Sequence, residues 1–537
     1  MSFIRCKKTG GRNYYYRVES YIKRGKVRQR ILEYYGRTDP RKKPDAMPIV
    51  KNTPTATYRF GDVALLYHAA EKVDMINIVN RYVPKRQGLS LGLELFLTIA
   101  HRLLEDKPSS HNLSRWVGTT HLPILLNFDS SRITDNTQQY LMDKIYDEER
   151  NLDHLYRISI DLYNSALRLF GKEENVFFYD ITSTYFEGKC CPLAFFGHNK
   201  DGKLDKLQIN IAMIMNGRYG LPVVSKVFRG NINDARTVHE MVYYPKVIMK
   251  KEKCMLIMDR GFDSEDNIRL MDTTKYDYII GLRSNHTFVK KSKVGTDFST
   301  GTWDTIKNGA DEIKLRKEIK NVFGRRRIVI LYYSPKVARD QKERRDFRIN
   351  NMIERLDDQG ELTMKKATEI AKPLRRYLVI EQNGKEVSWR INQVEVNRAE
   401  KNDGKFCLMT NKNMDPKEIF ATYFSKDKIE KGFRHMKQDA NMRPVFKRLA
   451  DHVIVDVFTC HITYLLMRVA EHLAQQEKID KFWDGLSSET REIRILDIKD
   501  MQGNRKFQII PNNDLQRNIV EKLELREQLP VGTILQE

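Results

Sequence analysis

Three carboxylates stand where a chain could hold a hard cation. Asp180 closes the apolar run Val176-Phe177-Phe178-Tyr179, and Asp259 closes the run from Cys254 to Met258. Runs of this kind are expected as strands buried on both faces, and an acid at the end of such a strand is held rigidly. Glu430 is expected on a helix. Together the three make the all-oxygen donor set that suits a divalent ion such as Mg²⁺. Each aspartate taken singly is more often a turn or cap former, so the assignment depends on the residues around them.

The stretch DPKEIFATYFSKDKIEKGFRHMK, residues 415–437, supplies that context. Asp415, Pro416 and Glu418 read as an N-cap, a first-turn proline and a capping-box acid, which predicts a helix start. Continued as one helix, Tyr423, Lys426, Glu430 and Lys437 project at roughly 0°, 300°, 340° and 320° and share one stripe. Ile429, Phe433 and Met436 fall beside it and turn toward a core. A carboxylate flanked by two lysines at the edge of a buried surface can stay charged and face something anionic. The bland alternative is a solvated strip with incidental ion pairs.

The elements that must position these groups suggest an α/β multidomain chain. Residues 1–45 carry 14 Lys and Arg against 4 Asp and Glu. Within them, period-two alternation on either side of Arg24-Gly25 predicts a basic β-hairpin, with Lys26, Arg28 and Arg30 on one face and Val27 and Ile31 on the other. Arg28 and Arg30 are candidate phosphate contacts; a solvated edge hairpin is the plainer reading. Residues 38–55, with four prolines, read as a linker. Residues 56–171 turn helical and are a candidate DNA-end-binding domain, with an interdomain helical bundle an equal alternative. Residues 172–283 and 404–476 form a mixed strand-and-helix region that carries the three acids. Between them, 284–403 reads as a basic, β-rich insertion, and 477–537 as a C-terminal appendage. Arg443 to Gln476 reads as one long, largely buried helix.

The formal charge of +23 across 537 residues suits a polyanionic partner, nucleic acid first and an anionic membrane surface second. The membrane is the weaker reading, because Asp456, His461 and Arg468 interrupt the most apolar stretch, Val453 to Ala470. The basic, polar N-terminus shows no signal-peptide pattern. Six cysteines without CxxC pairs fit a reducing cytoplasm and give no sign of structural zinc.

In these residues the chain resembles the DDE transposases of bacterial insertion sequences, in the group marked by Y-x-x-R-x-x-x-E-x-x-x-x-x-x-K. The signature falls here on Tyr423, Lys426, Glu430 and Lys437, with lysine where the group usually has arginine. FFYDITSTYF around Asp180 and LIMDRGFDS around Asp259 look like the family's two aspartate strands, and the likeness is strongest over about 172–475. The resemblance implies an RNase H-like catalytic core, a mixed sheet with flanking helices interrupted by a β-rich insertion. It also implies Asp180, Asp259 and Glu430 as a catalytic triad for two Mg²⁺ ions, with Mn²⁺ able to substitute. Lys426 keeps the charge but lacks arginine's two-pronged grip on a phosphate.

On this resemblance, Tyr423 and Lys437 would contact terminal phosphates. Trp303 is the candidate ring for a flipped base if the second strand leaves through a DNA hairpin. The implied enzyme binds transposon terminal inverted repeats, hydrolyses phosphodiester bonds without a covalent intermediate, and transfers the freed 3′-OH to target DNA. It would act as a homodimer in the bacterial cytoplasm, at the nucleoid. Two rivals share the basic modules: an inactive, domesticated DNA-binding descendant, and a structure-specific nuclease that cuts without joining.

Overall fold

The computed structural model describes residues 2–9, 12–23, 26–37, 40, 53–171, 175–197, 202–203, 205–242, 244, 254–300, 303–308, 311–499, 505–529 and 533–535. The chain forms two compact units: 1–58 with 494–510 and 529–537, and 59–493 with 511–528.

In the first unit, Ser2–Thr9, Arg12–Lys23 and Lys26–Gly36 form an antiparallel three-stranded sheet. The turn expected at Arg24-Gly25 and most of the expected linker, 41–52, lie outside the described residues. The linker's last residues, 53–55, open the strand Thr53–Arg59. That strand joins Arg494–Lys499, Arg505–Ile510 and Ile534–Leu535 in a four-stranded sheet. Residues 477–537 are therefore not a separate appendage. Ile495, Phe507 and Ile509 are buried in that sheet.

The second unit is organised around a nine-stranded mixed sheet. Its strands, in chain order, are β1 (Val176–Tyr185), β2 (Gln208–Asn216), β3 (Pro222–Arg229), β4 (Met255–Met258), β5 (Asp277–Leu282), β6 (Asp304–Asn308), β7 (Asp311–Val322), β8 (Arg325–Tyr333) and β9 (Lys405–Thr410). Across the sheet they run β6-β7-β8-β9-β5-β4-β1-β2-β3. β4 lies parallel to both β1 and β5, and every other pairing is antiparallel. β2, QINIAMIMN, is buried at every position, as an interior strand with two covered faces must be.

Helices α1 (Leu91–Leu104), α2 (Pro335–Asp357), α3 (Pro416–Phe424), α4 (Asp427–Gln438) and α5 (Ala450–Gln476) matter most below. Phe178, Met213, Ile257 and Ile279 from one sheet face share a core with Ile419, Ile429, Phe433 and Met436 from α3 and α4. Each such side chain contributes about 1.5–3 kcal/mol by leaving water, and together they press the Glu430 helix onto the two aspartate strands.

α5 is long and apolar enough to cross a membrane, with mean hydropathy 1.6, but 89% of that window is buried in the protein. Its helix begins at Ala450. Residues 443–449, predicted as helix, are not helical, and Val445 is taken into a bridge with Phe186 at the end of β1.

The insertion over 284–403 departs from the expected β-rich subdomain. Its first half supplies β6, β7 and β8, which extend the central sheet through the β8–β9 pairing. Its second half is mostly helical, with α2 followed by Met364–Ala371, Lys372–Tyr377 and Gln393–Glu400, and only the hairpin Leu378–Asn383 with Glu386–Ile391 is β. α2 is masked in sequence by its charge. Only Arg345, Ile349, Met352 and Leu356 of its 23 residues are buried, a stripe too thin to show a helical period.

Candidate active site

Asp180 does not end its strand. β1 continues to Tyr185, paired with β2 along its length, and Asp180 lies opposite Met213. The strand that ends there is the neighbour: β4 stops at Met258, whose partner on β1 is Tyr179. One further step puts Asp259 level with Asp180, at the ~4.8 Å spacing of adjacent strands. Both acids alternate onto the face that carries Phe178 and Ile257, which is the face α3 and α4 cover.

Residues 415–437 form two helices, not one. Asp415 caps α3 as expected, accepting from the N–H of Lys417 at 2.8 Å, with Pro416 in the first turn. At the far end the Ser425 hydroxyl turns back to the Thr422 carbonyl at 2.7 Å, and α4 restarts after Lys426. Angles computed for a single helix therefore fail across Ser425. Tyr423 and Lys437 are buried at 6% and 8% exposure instead of facing outward.

The break turns the stripe inward onto the acids. Tyr423 Oη donates to Asp259 Oδ1 at 3.0 Å. Lys426 Nζ lies 3.2 Å from the same oxygen and 3.5 Å from Glu430 Oε1, so one ammonium bridges two of the three carboxylates. Partial burial opposes charge on Asp259, but Lys426, the Arg260 N–H and the Tyr423 hydroxyl outweigh it and hold the carboxyl below its usual range. Burial and the adjacent Asp259 charge push the Tyr423 phenol far up, so it serves as a donor. Lys426 also sits 5.3 Å over the Tyr423 ring.

Two neighbours absent from the sequence reading hold this geometry. Gly281, on β5, faces Tyr423. A Cβ there would lie 2.5 Å from Tyr423 Oη and 3.1 Å from the Arg260 nitrogen. Asp263, fully buried, accepts from the Arg283 N–H at 2.6 Å, from Arg283 Nε at 2.5 Å, and meets His286 Nε2 at 2.8 Å. It thereby ties the turn after Asp259 to the end of β5. The signal was available in DRGFDS, where a second acid follows the first by four residues, but a turn residue explained it equally well.

The family model for the transposase DDE domain matches residues 171–466, more than half of the chain. The chain belongs to the DDE transposase family. No curated protein matches it. Among solved structures, the cryo-EM structure of a piggyBac transposase synaptic complex with hairpin DNA is similar at TM-score 0.40 and 9% identity, over 89% of this chain and 85% of that one.

In this DDE-family protein, the structure does not bring Trp303 to the acids. Trp303 leads into β6, the edge strand five positions from β4, on the order of 24 Å across the sheet. Its half-buried ring packs on Phe298 at 4.8 Å between centroids. Arg28 and Arg30 are exposed on the first unit's sheet, Arg30 paired with Glu19 at 2.7 Å. Beside Arg260 opens a cleft of about 690 Å³ whose lining includes Lys290, Lys293, Arg344, Arg348 and Lys405, with Asp403 its one acid. Lys293 lies buried there with Ser284 Oγ at 2.8 Å. Among the described residues no group of three or more His, Cys, Asp or Glu closes tightly enough to hold a metal ion. The cation between Asp259 and Glu430 is the Lys426 ammonium, so the donor set suits a hard cation and already holds an organic one.

Proposed function

We propose that this chain is a DNA transposase that binds the ends of a mobile DNA element, cuts phosphodiester bonds there and joins the freed 3′-OH to target DNA. One arrangement carries the assignment: Asp259 and Glu430 bridged by Lys426, with Asp180 level on the adjoining strand, in a chain of the DDE transposase family. The strand order β3-β2-β1-β4-β5, an antiparallel meander followed by parallel strands, supports an RNase H-like core.

Asp180, Asp259 and Glu430 would hold a pair of divalent ions, Mg²⁺ with Mn²⁺ able to replace it, which supply charge neutralisation at the phosphate and activate the attacking and leaving oxygens. The chain's own residues do the rest. Tyr423 and the Arg260 N–H orient Asp259 and keep it ionised, ready to accept a cation. Lys426, on a flexible four-carbon stem, neutralises Asp259 and Glu430 and would be free to meet a DNA phosphate once a divalent ion took over that charge. Buried Tyr423 positions Asp259 instead of gripping DNA, and Lys437 is buried as well. The cations of the Arg260 cleft, with Arg28 and Arg30, take phosphates along the strands. Joining two ends requires at least two protomers, and a homodimer meets that need.

A supercoiled plasmid carrying the DNA that flanks the gene, incubated with protein and Mg²⁺, tests the assignment. Excision and joining are expected from the wild type, and Asp180→Ala should bind the same DNA without cutting it. Cutting by Asp180→Ala at the wild-type rate would refute the role given to that carboxylate.

A further inference from the structure

Between α4 and α5 the chain passes through Arg443-Pro444-Val445-Phe446-Lys447-Arg448-Leu449. Val445 is buried, and its N–H donates to the Tyr185 carbonyl at 2.9 Å, which pins the segment to the end of β1. The next residue projects the other way. Phe446 is 74% exposed and Leu449 60%. Among the described residues Phe446 is the most exposed large aromatic side chain. Phe446, Lys447 and Arg448 form a ridge between two clefts of about 590 and 410 Å³. Gln138 and Gln139 line the first, and Lys189 the second. Asp135 is the one acid lining the two clefts, outnumbered by Lys189, Lys447 and Arg448, which set the sign of the ridge.

We propose that Phe446 is a wedge that enters the base stack of bound duplex DNA while Lys447 and Arg448 hold the flanking phosphates. This rests on the DNA-transposase reading above. An exposed aromatic tip between cations has the chemistry of side chains that part a base step and bend a duplex, and a polyanion complements the ridge. A second copy of a chain with formal charge +23 would instead bring further positive charge against it. The spacing is also apt. Tyr185 lies five residues beyond Asp180 on β1, about 17 Å along the strand, or about five base-pair steps of DNA.

A wedge favours DNA in which a step is already unstacked. The test compares a labelled duplex of about 30 base pairs with the same duplex carrying one abasic site, in the absence of divalent ions. Wild type is expected to bind the abasic duplex about tenfold more tightly. Phe446→Ala should lose that preference and Phe446→Trp keep it, while Lys447→Ala with Arg448→Ala should weaken both duplexes alike. A preference that survives in Phe446→Ala, or is missing in the wild type, overturns the proposal, as does a Phe446→Ala protein whose free oligomeric state falls by sedimentation, which would show that a second copy covers the ring. Plasmid cleavage measured in parallel separates the two readings. Cleavage without the abasic preference removes the wedge alone, and the preference without cleavage removes the catalytic assignment alone. A wild type that binds neither duplex refutes both.

Discussion

At the scale of single residues, Asp259 is held from three sides. Its carboxylate takes a hydroxyl, an ammonium and a backbone N–H, and hydrogen bonds to a charged group are worth about 1.5–3 kcal/mol each. Tyr423→Phe removes one of them without changing shape. It should slow single-turnover cleavage by about 10- to 100-fold and leave the fold intact; an unchanged rate would mean the hydroxyl is incidental. Gly281→Ala should produce the same loss by collision with Tyr423 Oη and cost about 1–3 kcal/mol in urea unfolding. In a Tyr423→Phe background the alanine should cost measurably less, since the oxygen it strikes is gone; equal costs in both backgrounds would separate Gly281 from Tyr423. The meeting of Asp259, Lys426 and Glu430 was legible in the sequence because their spacing is local or follows a buried run. Gly281 and Asp263 were not, because their meaning lies in contacts made across strands, and nothing next to them in the chain signals those contacts.

At the scale of elements, the reading succeeded where a buried strand or helix cap writes its own pattern and failed where tertiary contacts overrode it. Asp415-Pro416 marked the start of α3, but the Ser425 hydroxyl that ends it looked like any helix residue. β1 seemed to stop at Asp180 because Thr182, Ser183 and Thr184 follow it as a polar run, yet all three are buried and paired with β2 beyond the end of β4. α2 escaped notice because its apolar stripe is thin. α5 was legible as a buried helix, and its docking explains the aspartate inside it. Arg102 of α1 grips Asp456 through two bonds of 2.7 and 3.0 Å, with side-chain exposures of 16% and 8%. Burial opposes charge on Asp456, yet Arg102 holds its carboxyl below the usual range. Since the folded value lies below the unfolded ~3.9, the ionised form stabilises the fold above that pH, and this contribution disappears as pH falls through the folded value. Asp456→Asn should therefore destabilise by about 3–5 kcal/mol at neutral pH. The gap to wild type should narrow only below about pH 4, as followed by urea titration at several pH values. A gap that closed between pH 5 and 7 would contradict the pairing.

At the scale of the whole molecule, the surplus of positive charge was plain from composition, but its placement was not. Basic residues from the insertion gather in the cleft beside Arg260, and this requires α2 and β9 to be brought together by the fold. Replacing Lys290, Arg344 and Arg348 by alanine should weaken DNA binding and flatten the slope of log K against log salt by about 2–3. A parallel shift with no change of slope would place the cleft away from phosphates. Beneath this stands one geometric claim, that Asp180, Asp259 and Glu430 serve a common charge. Anomalous diffraction from a crystal soaked in Mn²⁺ tests it most directly. The expected result is manganese density in contact with Asp180 and Asp259 and facing Glu430, with the Lys426 ammonium displaced; manganese bound elsewhere, or Lys426 unmoved between the acids in a crystal that cleaves DNA, would contradict it.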